Sequence, residues 1–489
     1  MSRFHDSQPS NHFPSINLFR FKYAFPFYLS TILFFAYLPN LLQHYAWSDD
    51  YPAMVSPEAS ALHAIKDYRP LHGFIIRLGF ANFDSLNTIW VIRLFGLLLL
   101  IAIANLSYVL IQETIENKIL SLCTVILIYQ TPPFLNSVYW SMGASTVLTS
   151  LILSVFAYRS LFTGNRILGF VLLTMSFLIY PLGTWSGMSL FLLTNILAKK
   201  PIKQFLKTVR FLVLATMPSA FLALLIGSAL LEFINESPNA RTQIADYSVK
   251  ENSLWLFTRM IPQSFRPFNI SSPSNSVALL QVIFLVGVIF LGVFYRRGFT
   301  ASVDLITKMI MALLFLLLPG FIIGYNQIEP RFFVGTSIVV VGILIVILPE
   351  IFGLSFTTKS NNLIRITSNL FFGTLVAGAV FLNNSFFEKH IEARYQSTTE
   401  FLFSQLKHCE KDKLFPDVLI LDRTLPWESR PYLGMLSQET DLASPWVPAN
   451  AVTLIWREIS KSEVNIRSGS LILPNESERV CIINLDSYR

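Results

Sequence analysis

The apolar residues of this 489-residue chain gather into eleven blocks, near 24–45, 88–111, 119–137, 143–158, 167–181, 184–198, 211–233, 277–295, 308–325, 333–354 and 366–383. About 20 apolar residues cross a bilayer as a helix, and no water there satisfies a backbone N–H or C=O. Such blocks must therefore fold as helices that keep their hydrogen bonds internal. The expected fold class is an all-α polytopic membrane protein of about 11 transmembrane helices. Several blocks are short, and Pro39, Pro132, Pro133, Pro181 and Pro319 mark kinks or ends that face protein rather than lipid. Composition agrees, with 53% hydrophobic and 14% charged residues against roughly 25% charged in soluble chains.

The net charge of +7 does not point to nucleic acid, because no basic run alternates with aromatics on a polar face. Lys and Arg instead crowd alternate short connections, among them Arg20, Lys22, Lys118, Arg159, Arg166, Lys199, Lys200, Lys203, Lys207, Arg296 and Arg297. That bias predicts a cytoplasmic N-terminus and an outer C-terminus. Residues 1–23 form a polar cytoplasmic tail, and the block after it is too long for a signal peptide's apolar region. Residues 24–383 form the membrane domain, with outer loops 46–87 and 234–276, and residues 384–489 form a C-terminal outer domain. The second loop mixes Trp255, Phe257, Phe265 and Phe268 with Arg259 and Arg266, which fits an interfacial hairpin or an aromatic-basic cover. The aromatics Tyr139, Trp140, Tyr180 and Trp185 fall in outer turns and read as membrane-interface anchors, with stacking on sugar faces as the alternative.

The outer domain reads as small and α/β. "FEKHIEARYQSTTEFLFSQLKHC" has helical spacing, while "DVLILDR", "VTLIWREI", "GSLILP" and "RVCIINLD" read as strands. Of three cysteines, Cys123 lies in a span, and Cys409 and Cys481 both lie in the tail. On an oxidising face those two can pair; two buried thiols are the alternative. No Cys/His spacing matches a zinc site, and no metal ligand set is predicted.

The first loop carries the chemistry. In "AWSDDYPAMVSPEASALHAIKDYRPLHGF", Asp49 and Asp50 follow the first block directly, flanked by Tyr45, Trp47 and Tyr51. A carboxylate held against apolar surroundings becomes a better base. The segment "PEASALHAIKDY" predicts a helix with Ala59, Leu62 and Ile65 along one face, Ala61 being an optional fourth member, and "RPLHGFIIRLGF" predicts a second. Both would lie at the membrane surface.

A first span, then "DDY" at the outer face, an amphipathic helix and "YRPL" resembles the GT-C type of membrane glycosyltransferase. It is most similar to the phage-encoded serotype-converting glucosyltransferases that decorate bacterial O-antigen. The residues that carry the resemblance are Asp49, Asp50, Tyr51, Asp67, Tyr68, Arg69, Pro70 and Leu71. It implies a bacterial inner-membrane enzyme with a periplasmic C-terminal domain. The donor would be glucose on undecaprenyl phosphate, the acceptor a hydroxyl of O-antigen polysaccharide, and transfer would invert the anomeric carbon. Asp49 or Asp50 would be the general base, with a weak preference for Asp49.

The phosphate leaving group needs cations, and a guanidinium fork suits it. Arg69 in the first loop and Arg331 in "YNQIEPRFFVG" are the candidates. Tyr51, Asp67, Tyr68, His72 and Glu329 complete the expected substrate contacts; Glu329 can equally pair with Arg331, and His72 can be a local hydrogen-bonding residue. No cofactor is required, although adjacent acids can hold Mg²⁺ or Mn²⁺. The rival readings are a transporter or flippase of lipid-linked sugars and an O-antigen polymerase or ligase. The first should show mid-span charges, and the second a late outer loop rich in Arg and His.

Overall fold

The structure, a computed structural model, describes residues 24–42, 50–83, 85–115, 117–239, 249–265, 275–323, 330–354, 362–387, 400–407, 418–422, 447–460, 465–468 and 480–484. Helices dominate it, in the order α1 (Ala24–Leu41), α2 (Asp50–Val55), α3 (Pro57–Lys66), α4 (Pro70–Phe80), α5 (Ile89–Gln112), α6 (Lys118–Tyr129) and α7 (Pro132–Tyr139). Next come α8 (Ser141–Phe162), which contains a π-helical turn at Ala144–Leu148, and then α9 (Arg166–Ile179), α10 (Pro181–Ser186), α11 (Met188–Leu197) and α12 (Ile202–Phe233). The segment 234–276 holds α13 (Val249–Trp255). It is followed by α14 (Asn275–Arg297), α15 (Phe299–Ile323), α16 (Val334–Phe352), α17 (Asn362–Phe387) and α18 (Val447–Ser460).

Local chemistry sets these boundaries. The side chains of Asn117 and Asn165 accept the N–H groups of Leu120 (3.0 Å) and Leu168 (3.3 Å), capping α6 and α9. Pro57, Pro70, Pro132 and Pro181 each open a helix, where the missing N–H costs nothing. Pro132 also breaks the third apolar block, so α6 and α7 meet at 64°. Pro319, by contrast, stays inside α15.

Six helices among the described residues are long and apolar enough to cross a membrane, and a seventh crossing results if the bent α6–α7 pair is one span. The chain is a helical membrane protein. At the centre stands α16, packed against α6, α11, α14 and α15. Its apolar window is 72% buried, whereas that of α17 is 11% buried and lies at the rim. Small residues let helices close up around this centre. Gly342 faces Leu193 and Gly335 faces Ser186, while Gly183 and Gly187 face Ser150 and Ser154 on α8. The last four form a small-xxx-small seam, the usual way for helices to approach in lipid.

Charges sort to the two ends of α16. In its last turn Glu350 pairs with Arg297 and lies 4.0 Å from Lys199, while the buried Lys308 pairs with Asp304 and donates to the Lys200 carbonyl. The described buried residues of the opposite end include Asp50, Asp67 and His72.

In the tail, three short strands, β1 (Val418–Asp422), β2 (Asn465–Ser468) and β3 (Val480–Asn484), form a parallel sheet in the order β2-β1-β3. Val418 is level with Asn465 on one side and Val480 on the other. A parallel pair needs a crossover, and α18 lies between β1 and β2. "VTLIWREI", expected as a strand, is therefore helical. Its β-branched residues suggested a strand, but Ala451, Val452, Leu454, Ile455 and Trp456 are all buried together. "GSLILP" lies outside the described residues.

Candidate functional site at the first loop

Asp50 is the first residue of α2 and is fully buried. Its carboxylate reaches across 91 residues of sequence to the start of α8, where Oδ2 accepts the Ser141 N–H (3.1 Å) and Oδ1 accepts the Met142 N–H (2.8 Å). The first N–H groups of a helix have no partner of their own, and the helix dipole favours an anion there. Asp50 thus caps a membrane helix from a distant loop. The Trp140 ring lies so close above this helix start that a Cβ on Gly143 would overlap it. The π-helical turn follows at once, a feature that frequently marks functional positions. Ser141 Oγ and, on the preceding helix, Asn136 Nδ2 are buried with no hydrogen-bond partner among the described residues.

A second cluster forms where α3 turns into α4. The N–H of Arg69 donates to the Ala64 carbonyl (3.0 Å) and that of Tyr68 to the Ile65 carbonyl (2.9 Å), the two bonds of a Schellman cap. Its left-handed position, normally glycine, is here Tyr68 at φ 60°, at a cost of about 1–2 kcal/mol. The strain is held by packing, since Tyr68 lies against Gly227 of α12 with no room to spare. Gly73 in turn brings α4 onto the backbone of Ala61. This is why α3 buries Ala61, the optional member of the expected face, together with Ala64, rather than Ala59, Leu62 and Ile65: the close approach of α4 selects the small side.

Asp67, at the corner, pairs with Arg69 and accepts Asn239 Nδ2 (2.6 Å). Asn239 also donates from Nδ2 to the His63 carbonyl (3.1 Å) and from its backbone to the Lys66 carbonyl (3.1 Å), while Lys66 pairs with Glu236 at 2.7 Å. The start of the second outer loop is thereby fastened to the first. The Arg69 guanidinium lies 5.5 Å over the Tyr180 ring, and His72, 1% exposed, meets the same ring edge-on. Gly227→Leu should push the corner off α12 and cost about 1–3 kcal/mol by overpacking, with Gly227→Ala much milder. The unfolding temperature in detergent and protease sensitivity of the first loop check this.

The two clusters are joined through α4, which packs on both α2 and the π-helical turn of α8. The 3-10 turn Pro330–Phe333, which carries Arg331, packs against α7 and α10. The backbone of Arg331 is thus at the same end of the bundle as Asp50 and Arg69. Asp49, Glu329 and Cys409 lie outside the described residues, as does the side chain of Arg331. Cys481 is disulfide-bonded and Cys123 is free and buried. Tyr51 is buried on α2, and Tyr68, Asp67 and His72 lie in the corner cluster.

Sequence reasoning missed Ser141, Met142 and Asn239, which acquire roles only through tertiary contact. It also misplaced Trp140, Tyr180 and Trp185. These are buried, not interfacial anchors, and Trp185 donates its indole N–H to the Phe315 carbonyl at 2.9 Å. Comparison with known proteins finds no matching family model, no matching curated protein and no matching solved structure.

Proposed function

We propose that the chain is an inverting membrane glycosyltransferase of the GT-C type, moving a hexose, glucose by resemblance, from polyprenyl phosphate to a hydroxyl of O-antigen polysaccharide. The observation that carries this reading is the Asp50 carboxylate, drawn from the first loop into the end of the bundle and fixed there by the N-terminus of a membrane helix. Asp49 is the residue that immediately precedes this anchored carboxylate in the sequence. Asp49 is then the general base and Asp50 its support.

In the reaction the acceptor O–H gives its proton to the Asp49 carboxylate as its oxygen bonds to the anomeric carbon. The bond from that carbon to the phosphate oxygen breaks on the opposite face, and polyprenyl phosphate leaves. Arg69, oriented by Asp67 and by the Tyr180 ring, and Arg331 stabilise the charge developing on phosphate. Tyr51, His72 and Glu329 are substrate contacts in this reading. The chemistry needs no Mg²⁺ or Mn²⁺.

The finer architecture belongs to the same proposal. A helix lies across each of the eleven apolar blocks, including the shorter α1, α9 and α11, which supports eleven spans. The sorting of Lys199, Lys200, Arg297 and Lys308 to one end supports a cytoplasmic face there. The disulfide at Cys481 supports an oxidising, periplasmic location for the α/β tail.

The test is transfer by the purified protein in liposomes containing polyprenyl-phosphate-linked radiolabelled glucose and a lipid-linked O-antigen oligosaccharide. Labelled polysaccharide with inverted anomeric configuration, formed equally in EDTA, is expected. Movement of intact donor across the bilayer with no sugar transfer would sink the reading in favour of a flippase.

A further inference from the structure

The tail does not hang from the membrane domain on a tether. Ala451, Val452, Leu454, Ile455 and Trp456 of α18 are each at most 1% exposed, and they share one apolar core with Tyr51, Ala53 and Met54 of α2. That core is distinct from the core of the helical bundle. It also takes in Ile76 and Phe80 of α4 and Ile89 and Ile92 of α5, with Met142 and the disulfide-bonded Cys481 packed at its edge.

Six residues make α2 too short to hold its own shape, since helix nucleation is costly and isolated helices below about 12–15 residues are marginal. Four of its six residues are nevertheless buried: Asp50, Tyr51, Ala53 and Met54. Its neighbours therefore set its position: α3 and α4 pack on it within the first loop, and two further attachments come from outside that loop. Asp50 fixes its first turn to Ser141 and Met142, and α18 packs on its apolar side. Removing α18 strips Tyr51 and Met54 of the Ala451–Trp456 part of their shared core and loosens the turn that carries Asp50.

We propose that the C-terminal segment is a working part of the first-loop site, with α18 clamping α2, and through it Asp50, against the start of α8. Trp456, the largest fully buried side chain of α18, is its principal positioning residue. The catalytic consequence rests on the transferase reading above, but the clamp itself does not.

The experiment uses the full-length chain with Met54→Cys as a reporter, since Met54 is 2% exposed. A membrane-impermeant maleimide is applied to spheroplasts, and hexosyl transfer is measured in parallel. With Trp456 present, the reporter should stay protected. Trp456→Ala should raise its labelling rate at least about tenfold and lower kcat by about 10²-fold, the scale of a misplaced catalytic group, with the donor KM little changed. Trp456→Phe, which keeps an aromatic ring in the core, should restore both protection and most of kcat. If Trp456→Ala does not accumulate, Ile455→Ala on the same packed surface is read in the same way. A reporter that stays protected in these variants overturns the clamp. Exposure with kcat unchanged overturns the claim that the segment is a working part of the site. If even the parent chain transfers no sugar, the transferase reading falls, and labelling alone decides whether α18 holds α2.

Discussion

Asp49→Asn should lower hexosyl transfer by about 10²–10⁴-fold, the usual contribution of a general base, without changing membrane level or unfolding temperature. A sugar hydroxyl is a weak nucleophile near neutral pH, and the amide cannot take its proton. Asp50→Asn should also impair transfer, but by a different route. The amide is nearly the same size, yet only its oxygen can accept a hydrogen bond, so its NH₂ group is brought against a Ser141 or Met142 N–H. One buried N–H then faces a donor, at about 1–3 kcal/mol for the unsatisfied group, and the anion at the helix start is lost. The Asp50 variant should therefore unfold at a lower temperature in detergent, and the Asp49 variant should not. Transfer and thermal unfolding, measured on both at matched levels, separate a base from its support. Full transfer by Asp49→Asn would remove it as the base. Loss of transfer by Asp50→Asn with no thermal change would give Asp50 a direct catalytic role instead.

The sequence made the helices legible because a bilayer leaves the backbone no alternative, and among the described residues six helices, or seven if the bent α6–α7 pair is one span, are long and apolar enough to cross it. The first-loop acids were legible for a related reason: charges beside a long apolar block stand out. What was not legible is what each side chain touches. Asp50 is answered by the N-terminus of α8, 91 residues later, and backbone N–H groups carry no sequence signal. Trp140, Tyr180 and Trp185 looked like interface anchors because large amphipathic rings suit both a membrane belt and a packed turn. Their burial depends on tertiary neighbours, such as Phe315 against Trp185 across 130 residues, which no local pattern links to them. "VTLIWREI" misled in a similar way. Rich in β-branched residues, it satisfies strand preference, but its partner is the apolar side of α2, and tertiary packing overrides propensity.

A larger structural effect is expected at the seam between α8 and the α10–α11 segment, where the spacing Gly183-xxx-Gly187 meets Ser150-xxx-Ser154. A Cβ at Gly183 would overlap Ser150 Oγ and stand 2.7 Å from the Val147 carbonyl oxygen. At Gly187 it would overlap Ser154 Oγ and stand 2.8 Å from Ser154 Cβ. Either Gly→Ala change overpacks the seam, at about 1–3 kcal/mol, and Gly→Val at both positions should abolish assembled protein. The neighbours differ, so rescue should differ too. Ser154→Gly removes both atoms that meet the new methyl at 187, leaving mainly the cost of a helical glycine, about 1 kcal/mol. Ser150→Gly removes only part of the obstruction at 183, because the Val147 carbonyl is backbone and stays. Unfolding temperatures of the four single and two double variants should therefore show strong compensation for the 187/154 pair and weak compensation for the 183/150 pair. Equal compensation in both would mean that α10 can move away from α8 as a unit. The Tyr180 ring that supports Arg69 would then not be held by this seam.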